Sequence, residues 1–248
     1  MLVNLGVNYH FELPSAIKVD LAYFTTDSGN YVGNSLDSAR YSANLVKSKN
    51  PVETDLQEKD MWIARLDQPL SFLNNDALNI SVGASYWLSE IYNHKNAQHG
   101  SRHAWTLFNK INYKNLGISL TAGELSIKNE DSVSPYTSNF GSFDSEYTIA
   151  NKGHFYTIDT HYKFNNVMNS LNITPYLVYS GFNKKDSYFD DSMRHIIGAS
   201  FDYKKVSFYT EYIMSKNDPF IGGTKYSLAA GDDGKWNKLL NFILAYKF

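Results

Sequence analysis

Apolar and polar residues alternate along most of this chain with the period of two that is typical of a β-strand. The clearest case is the last segment, residues 236–248, in which one face carries Leu240, Phe242, Leu244, Tyr246 and Phe248. Its length fits the roughly 9–11 residues that a tilted strand needs to cross a bilayer. This segment is therefore predicted to be a strand with one face toward an apolar phase.

Ten further segments show the same alternation, namely residues 3–11, 17–26, 62–70, 78–91, 104–113, 116–125, 154–164, 171–182, 193–204 and 206–217. They are rich in Tyr, Phe, Val, Ile and Thr and mostly lack a sustained helical period, which favours strands. Two residues interrupt the pattern, because Asn109 would face the apolar side and Pro175 cannot donate a ladder hydrogen bond. We predict an all-β chain.

The connections between these segments alternate in length. Short ones lie at residues 12–16, 71–77, 114–115, 165–170 and 204–205, and long ones at 27–61, 92–103, 126–153, 183–192 and 218–235. Bacterial outer-membrane barrels join their strands by short turns on the periplasmic side and by longer loops outside. The pattern predicts a single domain over residues 1–248, a transmembrane antiparallel up-and-down β-barrel with about 11 visible strands.

An odd number of strands is unexpected, because single-chain bacterial barrels have an even number and periplasmic termini. The first residues, MLVNLGVNYHFELPS, lack the basic start of a secretory signal and already alternate as a strand. We expect an N-terminally truncated chain whose full-length form has 12 or more strands, with a signal peptide and at least one further strand encoded upstream. The alternative is a complete protein with an undetected strand within residues 31–50 or 136–150.

The composition agrees with a membrane barrel. Aromatic residues make up 15% of the chain, yet its mean hydropathy is −0.39. A barrel reconciles the two values, because tyrosine and tryptophan suit its two water–lipid boundaries while a wet lumen lowers the average hydropathy. Nine rings are predicted near the periplasmic strand ends: Tyr9, Phe11, Tyr113, Tyr162, Phe164, Phe201, Tyr203, Tyr246 and Phe248.

Several classes of protein are excluded. The chain has no cysteine, which excludes a disulfide scaffold, a Cys-ligated zinc fold and a thiol enzyme. With 23 basic and 25 acidic residues it has no surplus of positive charge for nucleic-acid binding. No apolar run approaches the roughly 18 residues of a membrane helix.

The C-terminal strand NFILAYKF, which alternates and ends in an aromatic residue, resembles the terminal signal strand of Gram-negative outer-membrane proteins. This resemblance implies recognition by the barrel-assembly machinery, with Tyr246 and Phe248 as its last aromatic positions. The wider pattern of strands and loops resembles the general and phosphate-selective-type porins. It implies a cell outer membrane location, passive diffusion of small hydrophilic solutes or ions, contact with outer-membrane lipid and lipopolysaccharide, and a homotrimer, but no particular substrate.

In such a channel the polar face of each strand would line the lumen. The pore-lining candidates on that face are Lys18, Asp20, Arg65, Asp67, Lys110, Asp159, Lys163, Arg194, Asp202, Lys204, Tyr209, Glu211 and Lys247. Basic residues slightly outnumber acidic ones, so a weak anion preference is a hypothesis; the alternative is that these groups simply solvate a wet wall. The inward rings Phe24, Trp87, Tyr176 and Tyr209 suggest either a sugar-stacking track or space filling.

One long connection is a candidate for a constriction, because porins commonly fold a long loop into the lumen. Residues 126–153 contain Tyr136, Phe140 and Phe143, and long loops in compact proteins are often functional. The alternatives are a solvated surface loop, or a constriction formed by residues 27–61 instead.

No catalytic residue, metal ligand or cofactor is predicted. The chain has no G-x-S-x-G motif and no Gly-rich phosphate loop, and His94, His99 and His103, expected in one external loop, lack a known zinc spacing. Two other functions remain open: a hydrolase-type barrel enzyme, which would need a Ser and a His paired on adjacent strands, and a plugged structural or adhesive barrel with a dense inward Arg/Glu network.

Overall fold

The computed structural model describes residues 5–26, 44–48, 50, 52–142, 145–168 and 170–247. These residues form strands without any helix. The strands are β1 (Gly6–Glu12), β2 (Lys18–Thr26), β3 (Asn44–Leu45), β4 (Leu56–Pro69), β5 (Leu78–Asn93), β6 (Gln98–Tyr113), β7 (Leu116–Lys128), β8 (Thr137–Ser142), β9 (Ser145–Ala150), β10 (Lys152–Tyr162), β11 (Phe164–Met168), β12 (Leu171–Lys184), β13 (Ser192–Tyr203), β14 (Val206–Lys216) and β15 (Asn237–Tyr246). No helix in this part of the chain is long and apolar enough to cross a membrane.

Eleven of these strands form one antiparallel sheet in the order β1-β2-β4-β5-β6-β7-β10-β12-β13-β14-β15, and β11 adds to β12. They correspond one by one to the eleven predicted segments, so the predicted all-β, antiparallel up-and-down architecture is confirmed. The remaining strands form a separate small sheet in the order β3-β8-β9. Within the described residues, the end strands β1 and β15 do not pair with each other.

The large sheet, here called the wall, has two chemically different faces. The outer face carries large apolar side chains that are exposed in the isolated chain, among them Trp62, Leu66, Leu107, Leu120, Ile158, Leu177, Ile197, Leu240, Phe242 and Leu244. The inner face carries the polar partners, for example the cross-strand row Asp20, Arg65, Ser85 and Thr106. An exposed apolar band backed by a polar face is the arrangement of a barrel wall in lipid.

Aromatic rings mark two levels on the outer face. One level lies at the end of the wall that has the short turns, the short-turn end, and includes Tyr9, Tyr113, Tyr162, Tyr203 and Tyr246. The other lies toward the opposite, long-loop end, where Tyr86 and Trp105 face each other across β5 and β6. Trp105 and Tyr113 lie eight residues apart on β6, roughly 27 Å along the strand. A strand tilt of roughly 40° reduces this spacing to about 21 Å along the membrane normal, slightly less than the roughly 25 Å apolar band of a membrane barrel.

Both irregularities expected from the sequence lie within strands of the wall. The register places Pro175 opposite Tyr162, between the pairs His161–Tyr176 and Phe164–Ile173, and the ladder is interrupted there. The missing N–H of proline explains the interruption. Asn109 pairs with Val82 and Leu120 and therefore lies on the outer face.

One predicted long connection is wrong. Residues 92–103 are not a loop, because β5 runs to Asn93 and β6 starts at Gln98, leaving a turn of only four residues. His99 and His103 consequently lie on a strand rather than in an external loop. The two 16-residue strands are longer than a bilayer requires. The part of these strands beyond the bilayer is stabilised because inward side chains such as Ile91 are buried against Leu45 and Phe140 from other segments of the chain.

The two faces give a direct test on neighbouring residues. Leu120→Arg places a charge on the outer face, and Thr121→Arg places the same charge on the inner face. We expect Leu120→Arg to lower the free energy of unfolding by about 2–4 kcal/mol, the cost of a cation at the membrane midplane. Thr121→Arg should cost much less. Denaturant unfolding in lipid vesicles measures both values, and equal losses would contradict the assigned faces.

Candidate pore constriction

Two sequence-distant loops form the small sheet, which packs on the inner face of the wall. Strand β3 pairs with β8 at Leu45 and Phe140, and β8 continues into β9 as a hairpin. The small sheet and the wall share one buried apolar cluster, consisting of Leu45, Phe140 and Tyr147 with Leu56, Ile91, Leu125 and Ile127. Full burial of such a side chain contributes about 1.5–3 kcal/mol. The small sheet is therefore anchored to the inner face near the long-loop end.

Residues 218–235, between β14 and β15, extend this small sheet. The Thr148 N–H donates to the Lys225 carbonyl at 2.7 Å, and the Ala150 N–H donates to the Leu228 carbonyl at 2.8 Å. The Phe220 ring meets the Tyr147 ring edge-on at 5.3 Å. We call the described residues of 44–55, the β8–β9 hairpin and residues 218–235 together the insert.

Glu53 joins all three parts of the insert. Its carboxylate accepts hydrogen bonds from Ser48 Oγ at 2.6 Å and Asn139 Nδ2 at 2.8 Å. It also accepts from Tyr226 OH at 2.7 Å and lies 2.9 Å from Lys225 Nζ. Only 9% of its side chain is exposed. One buried carboxylate therefore connects segments that are more than 80 residues apart in the sequence.

The Glu53 carboxyl is held in its charged form. Burial alone raises its pKa, but the hydrogen bonds from Lys225, Ser48, Tyr226 and Asn139 outweigh burial and lower the pKa to about 2. The same contact favours the ammonium of Lys225, because the Glu53 hydrogen bond overcomes the effect of burial and raises the lysine pKa. The ion pair is thus fully formed at neutral pH.

Two arginines connect the wall with the insert. On β6, the Arg102 guanidinium lies 3.2 Å from Glu58 of β4 and 5.4 Å from the Phe140 ring. On β13, Arg194 donates to both carboxylate oxygens of Asp218, at 2.6 and 2.8 Å. Bidentate pairs of this kind are among the stronger polar contacts in proteins. Because β6 and β13 are well separated in the sheet order, the inner face curves around the insert.

Both candidate constriction segments contribute to the insert. Phe140 of the insert is 3% exposed and packs against the wall. Tyr136 is 63% exposed and is not part of the buried apolar cluster. Phe143 and Phe248 lie outside the described residues. Tyr246 is exposed on the outer face, opposite Val206. The structure therefore separates Tyr136 from Phe140, which the sequence had grouped together.

Several predicted pore-lining charges meet near the short-turn end of the inner face. Asp20 lies opposite Arg65, and Lys18 lies opposite Asp67. The Arg65 guanidinium is 3.6 Å from Asp67 and stacks on an inner-face ring, that of Phe108, at 4.1 Å. Lys110 lies further along the same face, in a cross-strand row with Ser119 and Asp159.

A second group lies on β12 to β15. Glu211 accepts hydrogen bonds from Tyr176 OH at 2.7 Å and from Asn241 Nδ2 at 2.9 Å. Tyr209 lies opposite Ser200, and Asp202 lies opposite Ser207, whose hydroxyl donates to it at 2.5 Å. These contacts hold the polar side chains on the inner face, and their pore-lining role stays a prediction.

Three predicted pore-lining lysines lie beyond the strands. Lys163 and Lys247 lie just outside strands at the short-turn end. Lys204 occupies a two-residue turn with a φ of 52°, and its ammonium is 5.1 Å from the ring of Tyr203, an outer-face residue. The position of Lys204 therefore differs from the inward position that the alternation predicted. The reason is that a turn residue with positive φ no longer follows the strand alternation.

The sequence did not reveal Glu53 or the apolar inward positions of the wall on which the insert packs. A signal for the latter was present: Ile91, Leu125 and Ile127 are apolar at inward-facing positions near the long-loop end. In a lumen open to water these positions should be polar, so their apolar character indicates that something packs on them. Glu53 had no such signal, because its partners come from other loops.

Among the described residues, the histidines are not arranged as a metal site. His99 Nδ1 is 2.6 Å from Glu90, and His103 Nδ1 is 2.9 Å from the Tyr86 hydroxyl. Within the described ranges, no group of three or more His, Asp or Glu side chains is arranged to hold a metal ion.

The wall is apolar outside and polar inside, and loops fold onto its inner face. This arrangement is that of a porin-like β-barrel. Among solved structures, the chain is similar to the outer membrane channel DcaP of Acinetobacter baumannii, with 13% sequence identity and a TM-score of 0.54. The match covers 99% of this chain and 62% of that channel's chain. No protein-family model and no curated protein matches the chain. At this identity the similarity shows the fold, and it confirms the expected porin-like β-barrel fold.

The Glu53 contacts can be tested by removing the charge. We expect Glu53→Gln to loosen the insert, because a buried carboxylate loses its ion pair and charge-assisted hydrogen bonds. Amide hydrogen exchange at Thr148 and Ala150 should become about tenfold faster or more, since a charged hydrogen bond contributes about 1.5–3 kcal/mol.

Glu90→Gln is the matched control, because Glu90 pairs with His99 on the outer face and does not contact the insert. A second readout is acid titration. Because the pKa of Glu53 is lowered in the fold, its stabilising effect is present at neutral pH and is lost only as pH falls toward about 2. Exchange at Thr148 and Ala150 that is unchanged in Glu53→Gln would contradict the proposed role of Glu53.

Proposed function

We propose that this protein is an outer-membrane porin through which small hydrophilic solutes or ions diffuse passively, with the insert as its constriction. The observation that carries the proposal is the placement of the insert on the inner face of a membrane-type wall. The insert occupies the long-loop end and leaves the charged groups near the short-turn end uncovered. A solute would pass the insert first and then the polar wall around Arg65 and Glu211.

The inner charges favour small polar solutes without defining one. Acidic and basic groups alternate across the wall, as at Asp20 and Arg65, so a solute meets hydrogen-bonding groups of both signs. A weak anion preference remains our prediction. Lys204 contributes less to it than the sequence suggested, because its ammonium lies beside the ring of Tyr203 on the outer face. We expect neither cofactor nor bond chemistry in this mechanism.

The location and partners are part of the same proposal. The exposed apolar outer face and its aromatic levels support insertion in the outer membrane. Recognition by the barrel-assembly machinery through Tyr246 and Phe248, and assembly as a homotrimer, are proposals for the whole protein. The similarity to an outer membrane channel supports the class of function and leaves the solute open.

A plugged structural barrel is the second candidate, and one observation favours it. The insert is tied to the wall on two sides, through the contact of Arg102 with the Phe140 ring and through the ion pair of Arg194 with Asp218. If these contacts never open and no path remains beside them, the lumen is closed.

An enzyme is less well supported. His103 lies opposite Ser126 on an adjacent strand, on the outer face. His103 Nδ1 contacts the Tyr86 hydroxyl instead, and among the described residues no hydrogen bond joins His103 to Ser126. A nucleophilic pair needs that hydrogen bond or a close approach to it.

Conductance in planar bilayers separates the channel from the plugged barrel. The full-length protein should show discrete conductance steps. Replacing residues 137–150 by a short Gly-Ser linker should raise the step size several-fold, because the β8–β9 hairpin no longer narrows the lumen. Tyr188→Ala, in another loop and 90% exposed, is the control and should leave the step unchanged. No step for the intact protein would defeat the porin proposal.

A further inference from the structure

A slot of about 210 Å³ lies between the inner face of the wall and the insert. The wall contributes Phe155 of β10 and Phe182 of β12, which face each other across the two strands, and the insert contributes Phe220 and Leu228. Water reaches the slot, because Phe220 is 45% exposed and the Arg194 side chain, which also lines it, is 37% exposed. An apolar cavity of roughly 150 Å³ can hold benzene, so a solute with a single ring fits the slot.

Two glycines set the position of the wall rings. A Cβ atom on Gly123 would lie 2.6 Å from Phe155 Cζ, and a Cβ atom on Gly153 would lie 2.4 Å from Phe182 Cε2. Each ring therefore occupies the space that a side chain on the neighbouring strand would need. The two rings lie along the wall instead of across the lumen, which leaves room between them and the insert.

The slot also has polar groups but no net charge. Arg194 and Asp218 are its charged lining residues, and Arg194 donates two N–H groups to the Asp218 carboxylate. A guanidinium carries five N–H donors, more than the two that Asp218 uses. The Ser180 hydroxyl donates to the Arg194 carbonyl at 3.1 Å, so its lone pairs can accept a hydrogen bond. Donors and acceptors thus lie beside the phenyl rings.

We propose that this slot is the solute-selecting site of the channel and that it takes neutral flat heterocycles that carry both N–H and C=O groups, such as uracil. The ring of the solute lies between Phe182 and Phe220. One N–H of the solute donates to the Ser180 hydroxyl, and one carbonyl accepts from Arg194. This inference rests on the proposed porin function and adds a solute class to it.

The lining favours this class over others. An anion would have to compete with Asp218 for Arg194, and a cation would find no free carboxylate, because the Asp218 side chain is 7% exposed and paired. A purely apolar ring would leave the polar groups of the slot without partners. A puckered polyol would press hydroxyl groups against the phenyl rings, which is unfavourable without hydrogen bonds.

The test uses single thiols, since the chain has no cysteine of its own. Thr157→Cys places a thiol in the slot, opposite Ser180, and Ser119→Cys places one on the inner face outside the slot. The full-length variants in lipid vesicles are treated with benzyl methanethiosulfonate, and mass spectrometry follows the labelling. Millimolar uracil should slow the labelling of Thr157→Cys several-fold and leave that of Ser119→Cys unchanged. Erythritol, which is neutral but not flat, should protect neither thiol.

A second pair of variants tests the shape of the slot in the Thr157→Cys background. Gly153→Ala forces the Phe182 ring to move and should reduce the protection by uracil several-fold. Gly181→Ala is the matched control, because the atoms nearest to its Cβ belong to the Tyr156 side chain on the outer face. This control should keep the full protection.

Conductance separates the inference from the porin proposal. Benzyl labelling of Thr157→Cys should lower the conductance step several-fold, and labelling of Tyr188→Cys, in an exposed loop, should leave it unchanged. A protein that conducts but shows no protection by uracil, or equal protection by erythritol, refutes this inference alone. A thiol at residue 157 that does not react, or whose labelling leaves conductance unchanged, also overturns it. Protection by uracil without any conductance step refutes the porin proposal and, with it, the role of the slot in solute passage.

Discussion

A backbone N–H or C=O group left unpaired in hydrocarbon costs several kcal/mol, so a strand that meets lipid must be paired along its whole length. The strands from β2 to β14 in the sheet order are paired on both sides, and the alternation of their side chains follows from the different environments of the two faces. Side chains on one face must suit lipid while their neighbours suit water. The ladder is interrupted opposite Pro175, which has no N–H to donate, and its register shifts between Lys59 and Trp62 of β4. The charged groups that would line the lumen are held in register by this wall.

The insert follows a different physical rule. Where the wall extends beyond the apolar band, its inner positions no longer need to be polar, and Leu56, Ile91 and Ile127 instead bury apolar surface against the small sheet. This burial fixes the insert against the wall. Glu53 then fixes its three segments against one another with a single charged group.

The electrostatic arrangement connects structure with the proposed function. Ion pairs that join the wall and the insert, such as Arg194 with Asp218, neutralise charges that would otherwise face the lumen. The same ion pairs hold the insert against the wall. The charges nearer the short-turn end pair within the wall instead, as Arg65 does with Asp67. The proposed path therefore has a rigid polar mouth followed by a mixed-charge wall.

The sequence by itself determined the eleven wall strands, the face to which most side chains point, and the fold class. These properties follow from a period of two that each strand carries locally, which is why residues such as Arg65, Leu120 and Glu211 could be assigned without coordinates. Only the tertiary structure decided that β5 and β6 continue to a four-residue turn, that residues 27–61, 126–153 and 218–235 meet in one insert, and that Glu53 lies at its centre. Those features depend on contacts between segments far apart in the chain, and no local pattern encodes which distant loop will pair with which.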